Sequence, residues 1–187
     1  MQIEETALPG VLVLTPRRFA DARGWFEETW SRDRMAEAGL PVDWAQDNHS
    51  MSRRAGTLRG LHYQAPPRAQ AKLVRVLLGA ILDVAVDARA GSPHFGRHVA
   101  VELSAASGRQ LLIPEGFLHG FVTREPDTHV AYKCTDTYAP AQDGAVAWDD
   151  PDLAIDWGVA DPVLSDKDRA APRWRDWQTP FAVGSAP

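Results

Sequence analysis

The chain has 187 residues, 44% of them hydrophobic, with 20 Lys and Arg against 25 Asp and Glu and a formal net charge of -5. That is apolar material for one core, and residues 1–187 are expected to form a single domain. An acidic chain without a basic run lacks the electrostatic footprint of a nucleic-acid or anionic-membrane binder, and no apolar run nears the roughly 20 residues of a membrane helix.

The opening MQIEETALPG is acidic where a secretion signal needs basic and then apolar residues, and Cys134 is the only cysteine. A soluble cytoplasmic protein without a disulfide is expected. Residues 11–15 read as an extended apolar segment that Pro16 ends. DARG at 21–24 reads as a turn, with 25–30 as a strand after it. The best helical stretch is 32–38, stopped by Gly39 and Pro41. The segment 57–76, TLRGLHYQAPPRAQAKLVRV, reads as two short strands. Residues 81–87 alternate, with Leu82, Val84 and Val86 on one face and Asp83 and Asp87 on the other. Further short strands follow at 98–103, 110–114, 120–123 and 129–135, punctuated by Gly and Pro. This spacing predicts an all-β fold, a sandwich or closed jelly-roll barrel, with a few short helices. From about 139 the chain is rich in Pro, Asp and Trp. It is expected to wrap the barrel, with a short helix near Lys167. The seven Trp read mainly as core or interface packing.

Arg59, His62 and Lys72 fall close together among apolar β-formers. Burying cations is costly unless an anion answers them. The cluster therefore points to an anionic ligand, or to a reaction that builds negative charge. Arg59 and His62 would face opposite sides of a regular strand. They reach one site only if the strand bends, and Gly60 between them permits a bend or bulge. A metal is not expected. Barrels of this kind hold one with two histidines a residue apart, but position 64 is Gln, and His49, His62 and His119 lie on separate segments. Cys134 sits in an apolar strand and reads as buried and inert rather than nucleophilic. Proton transfer remains. Histidine suits acid–base work near neutral pH, lysine stabilises an oxyanion or enolate, and tyrosine donates or returns a proton. His62, Lys72 and Tyr132, with His119 nearby, form a kit for moving a proton next to a carbonyl.

The segments RGWFEETW, QDNHS, LRGLHYQ, AKLVRV, LDVAVDAR, SPHFG, IPEGFLHGF, YKCTDTYAP and LSDKD, in this order, resemble the dTDP-4-dehydrorhamnose 3,5-epimerase family. The resemblance spans Leu8 to about Pro172; the tail beyond about 172, with Trp174 and Trp177, is unmatched. It implies a cupin-like jelly roll and a homodimer with exchanged N-terminal strands. It also implies no metal and no organic cofactor. The implied reaction inverts carbons 3 and 5 of dTDP-4-dehydro-6-deoxy-D-glucose; the alternative is a relative acting at one carbon of a dTDP-4-keto-deoxysugar in a secondary-metabolite pathway. The family's base matches His62, its partner carboxylate Asp168, its general acid Tyr132 and the residue near the 4-keto oxygen Lys72. His119 matches a residue lining the site. Arg59 and Arg23 match residues near the diphosphate, Arg23 from the partner subunit, and Gln46 and Asn48 match polar substrate contacts. Phe19, Phe26 and Tyr138 are the candidates to hold thymine. One departure is Leu118, where the family motif has Ala. A larger side chain beside His119 is expected to reshape the sugar pocket slightly.

Overall fold

A computed structural model describes residues 1–184. Two antiparallel sheets carry the architecture. The first runs β1 (Gln2–Glu5), β2 (Leu12–Thr15), β11 (Gln110–Ile113), β7 (Lys72–Leu78), β13 (Thr128–Cys134) and β5 (Gln46–Ser52). The second runs β10 (His98–Ser104), β8 (Ala80–Asp87), β12 (Phe117–Thr123), β6 (Leu58–Gln64) and β14 (Asp143–Ala145). Two small pairs complete it: a hairpin of β3 (Arg18–Asp21) with β4 (Gly24–Glu27), and β9 (Arg89–Ala90) with β15 (Phe181–Ala182). This is the expected cupin-like jelly roll.

The inner faces of the two sheets share one apolar cluster, including Val74, Ile81, Ala85, Leu111, Phe121 and Val130. Strand β8 shows how the pleat sorts residues. Ile81 and Ala85 enter this inner cluster, whereas Leu82, Val84 and Val86 point out of the barrel. That outer side is also buried, because the C-terminal quarter covers it with Val146, Trp157 and Phe181 and with Trp174 and Trp177 packed alongside. The segment beyond residue 172 therefore closes a core face, and the Trp177 indole N–H donates to the Tyr63 hydroxyl at 2.9 Å. The outer face of the first sheet is covered in part by α1 (Arg32–Glu37), whose Met35 packs on Leu14, Leu73 and Leu112.

Some local expectations change. Strand β4 ends at Glu27, and Trp30 instead packs over the first sheet. Strand β5 has little apolar content, so its sequence QDNHSMS showed no core-facing alternation. It is nonetheless paired along its length with β13. Leu118 is fully buried on the outer side of β12, within the cluster under the C-terminal wrap. The expectation that it reshapes the sugar pocket is corrected by the pleat: His119 and Leu118 leave the strand on opposite faces.

Candidate active site

The bend required at Gly60 is present. Gly60 has φ +136, and pairing between β6 and β12 shifts register between His119 and Phe121. A side chain has no room there, since a Cβ on Gly60 would lie 2.5 Å from the Gly120 Cα. The irregular strand lets Arg59 and His62 line one cavity of about 360 Å³ together with Lys72, His119, Tyr132 and Asp168. Six residues singled out from the sequence thus meet in one place. The cavity is also lined by Ser50, Phe121, Ser165 and Lys167.

His62 and His119 sit opposite each other on β6 and β12, in the second sheet. Lys72 and Tyr132 come from β7 and β13 of the first. Each histidine has its own carboxylate. His62 Nε2 is 2.5 Å from Asp168 Oδ1, and His119 Nε2 is 2.7 Å from Asp83 Oδ1. Asp168 arrives from far along the chain. A bridge between Thr57 and Val163, with the Leu58 N–H donating to the Val163 carbonyl at 3.0 Å, ties the C-terminal wrap to the start of β6. The short α2 (Asp166–Arg169) follows, and Ser165 caps it. The Ser165 hydroxyl accepts from the Asp168 N–H at 3.1 Å and donates to Asp168 Oδ2 at 2.8 Å. One carboxylate oxygen is thus held by Ser165 while the other faces His62. Ser165 was not singled out as a site residue, although Ser-x-x-Asp before a short helix is the kind of pattern that marks a cap.

Burial pushes the Asp168 carboxyl up, but its bonds to His62 and Ser165 and the nearby charges outweigh this, holding it below the usual carboxylate value. Burial lowers Lys72, against the pull of Asp83 and other anions. Burial also raises the Tyr132 phenol, which keeps its proton, and lowers His119 despite Asp83. No hydrogen bond to the Tyr132 hydroxyl or the Lys72 ammonium exists among the described residues, so both are available to a ligand. Among the described residues, Arg59 hydrogen-bonds only neutral partners, with bonds of 3.3–3.4 Å to the Ser52 hydroxyl and the Met51 carbonyl.

The other expected residues lie outside the lining of this cavity. Gln46 and Asn48 lie on the inward side of β5: the Gln46 amide donates to Asn48 Oδ1 at 2.9 Å, and Asn48 donates to the Cys134 sulfur at 3.6 Å. Tyr138 is exposed; its N–H donates to Gln46 Oε1 at 2.8 Å and its hydroxyl to Asp143 at 3.2 Å. Gln64 is buried and accepts from the Ala139 N–H at 2.8 Å, anchoring the loop that carries Tyr138. Phe19, Arg23 and Phe26 are on the β3–β4 hairpin and do not line the cavity. Phe19 and Phe26 are exposed, and Arg23 pairs with Asp21 at 2.6 Å. A second hollow of about 400 Å³ on the first sheet is lined by Asp47, Asn48, His49, Arg75, Tyr132 and Lys133, with Lys133 paired to Asp47 at 3.1 Å. Among the described residues, no three His, Cys, Asp or Glu side chains group to hold a metal ion, and no helix is long and apolar enough to cross a membrane.

A jelly-roll barrel with an oriented histidine, a protonated phenol and a lysine around one cavity is an acid–base enzyme. The family model for dTDP-4-dehydrorhamnose 3,5-epimerase matches residues 5–176, and the chain belongs to that family. It is 48% identical over 178 residues to the dTDP-4-dehydrorhamnose 3,5-epimerase of Pseudomonas aeruginosa, covering 94% of this chain and 97% of the relative. The crystal structure of the Bacillus anthracis enzyme with TDP and PPi bound superposes with a TM-score of 0.90 at 46% identity, covering 92% of this chain and 98% of the other. That of a dTDP-6-deoxy-D-glucose-3,5-epimerase from Legionella pneumophila, in complex with dTDP-4-keto-L-rhamnose, gives a TM-score of 0.88 at 44% identity, covering 92% of both chains.

Proposed function

We propose that this chain inverts carbons 3 and 5 of dTDP-4-dehydro-6-deoxy-D-glucose, giving dTDP-4-dehydro-L-rhamnose. The observation that carries the reading is the placement of His62, with Asp168 behind it, and Tyr132 on different sheets of one cavity. Inversion at carbon needs a proton removed from one face and returned to the other. Both reacting carbons flank the C4 ketone, which acidifies their protons. Neutral His62 takes the proton, and Asp168 stabilises the imidazolium that forms. The electron pair moves onto the C4 oxygen, where the Lys72 ammonium meets the enolate charge. Tyr132 then delivers its phenolic proton to the opposite face. Solvent takes the proton from His62 and resupplies Tyr132 before the second carbon reacts. No redox partner or cofactor is needed for this balance.

His119 contacts the sugar, and its bond to Asp83 sets its orientation. Arg59, without a carboxylate partner among the described residues, is suited to the diphosphate, with Gln46 and Asn48 as further polar contacts. Tyr138 stacks on thymine. The hairpin with Arg23, Phe19 and Phe26 projects exposed aromatic and cationic groups, which supports a homodimer in which these residues complete the partner's site. The shared inner core supports one epimerase domain. A lone, buried Cys134 makes no demand for an oxidising compartment, which supports a cytoplasmic setting.

The test is proton NMR of the protein with dTDP-4-dehydro-6-deoxy-D-glucose in deuterium oxide, with a rhamnose-forming reductase added as a trap. Deuterium at both carbons and trapped dTDP-L-rhamnose are expected. Exchange at a single carbon with no rhamnose would make it a monoepimerase. His62→Ala should abolish exchange while dTDP still binds.

A further inference from the structure

Strand β5 places Gln46, Asn48, Ser50 and Ser52 on its inward side and turns Asp47, His49 and Met51 outward. Three of the inward four are engaged: Gln46 with Asn48, Asn48 with Cys134, and Ser52 with Arg59. Ser50 is not. Its hydroxyl is buried and has no hydrogen-bond partner among the described residues, yet Ser50 lines the cavity that holds His62, Lys72 and Tyr132. Its cross-strand neighbour is Val130, whose side chain offers nothing polar. Buried hydroxyls are almost always paired, so an unpaired one at a cavity wall calls for a ligand atom.

We propose that Ser50 is a substrate-binding residue, hydrogen-bonding the C2 hydroxyl of the hexose; this rests on the epimerase reading above. The register indicates which group it meets. Ser52, one inward position along, holds Arg59, the anchor for the diphosphate. Asn48, one inward position the other way, lies opposite Tyr132, the acid. Ser50 stands between the two, about 7 Å along the strand from each. In the substrate the diphosphate is on C1 and the nearer reacting carbon is C3. The polar group between them is the C2 hydroxyl. A neutral serine suits that neutral group, whereas the phosphate oxygens draw the guanidinium.

The experiment compares wild type and Ser50→Ala on dTDP-4-dehydro-6-deoxy-D-glucose and on its 2-deoxy analogue, by deuterium exchange kinetics, with dTDP affinity measured by calorimetry. Expected is a loss of about tenfold in kcat/KM on the natural substrate, the size of one neutral hydrogen bond. Little further loss is expected on the 2-deoxy analogue, and dTDP affinity should be unchanged. An equal loss on both substrates, weakened dTDP binding, or unchanged kcat/KM overturns the Ser50 assignment. Wild-type protein that exchanges neither substrate overturns the epimerase reading, and the assignment with it.

Discussion

Asp168→Asn tests the His62–Asp168 pair with little change of shape. The Asp168 side chain is 3% exposed, 2.5 Å from His62 Nε2 through one oxygen and 2.8 Å from the Ser165 hydroxyl through the other. Asparagine can keep both contacts: its carbonyl faces His62, and the Ser165 hydroxyl rotates to accept from the amide. What disappears is the negative charge opposite the imidazolium that forms as the proton is taken. A hydrogen bond involving a charged group contributes about 1.5–3 kcal/mol, which corresponds to roughly 10–150-fold in kcat. The His62 side chain is 32% exposed, so water screens part of the charge and favours the lower end. The assay is the rate of deuterium incorporation at carbons 3 and 5, beside calorimetric dTDP affinity. A rate within twofold of wild type would refute the reasoning, and so would a parallel fall in dTDP affinity, which would make Asp168 a fold element. A loss near 10⁴-fold would mean that the amide flipped and imposed the wrong imidazole tautomer.

Tyr132→Phe should retain part of the proton exchange with solvent while completed inversion, read as trapped rhamnose, falls at least tenfold; an unaltered product yield would remove Tyr132 from the acid role. Because burial lowers Lys72, activity should decline on the alkaline side before the ordinary lysine value of 10.5. Lys72→Arg keeps its charge, so whatever activity it retains should show no such decline in a kcat–pH series. Gly60→Ala would place a Cβ 2.5 Å from the Gly120 Cα at φ +136. It should cost about 3 kcal/mol or more, a fall in melting temperature of roughly 6–12 °C; an unchanged Tm would show that the backbone relaxes there. The depressed Asp168 carboxyl adds stability that is present above its unfolded value of 3.8 and lost as pH falls through the folded one. The stability gap between wild type and Asp168→Asn in denaturant titrations should therefore narrow below about pH 4.

Much of the barrel and its chemistry was legible along the chain. The period-2 pattern of 81–87 separated the inner side of β8 from the outer, and the need for a bend at Gly60 followed from two useful residues on opposite sides of a strand. These are local consequences of backbone geometry. Strand β5 was not legible, because QDNHSMS has no apolar side; its place comes from pairing with β13. Leu118 shows the same limit from the other direction. Spacing put it beside His119, but only the wrap by Trp157 and Phe181 explains why its side of β12 is also core. The kinds of residue needed for proton transfer were visible in the sequence itself, whereas the resemblance joined Asp168 to His62. Nothing local does so: the two lie 106 residues apart, and their contact exists because the C-terminal segment closes over the barrel and pairs at Thr57 and Val163. Sequence periodicity sets which side chains share a face. Which faces meet depends on long-range closure, whose entropic cost is met by the packing of the whole barrel.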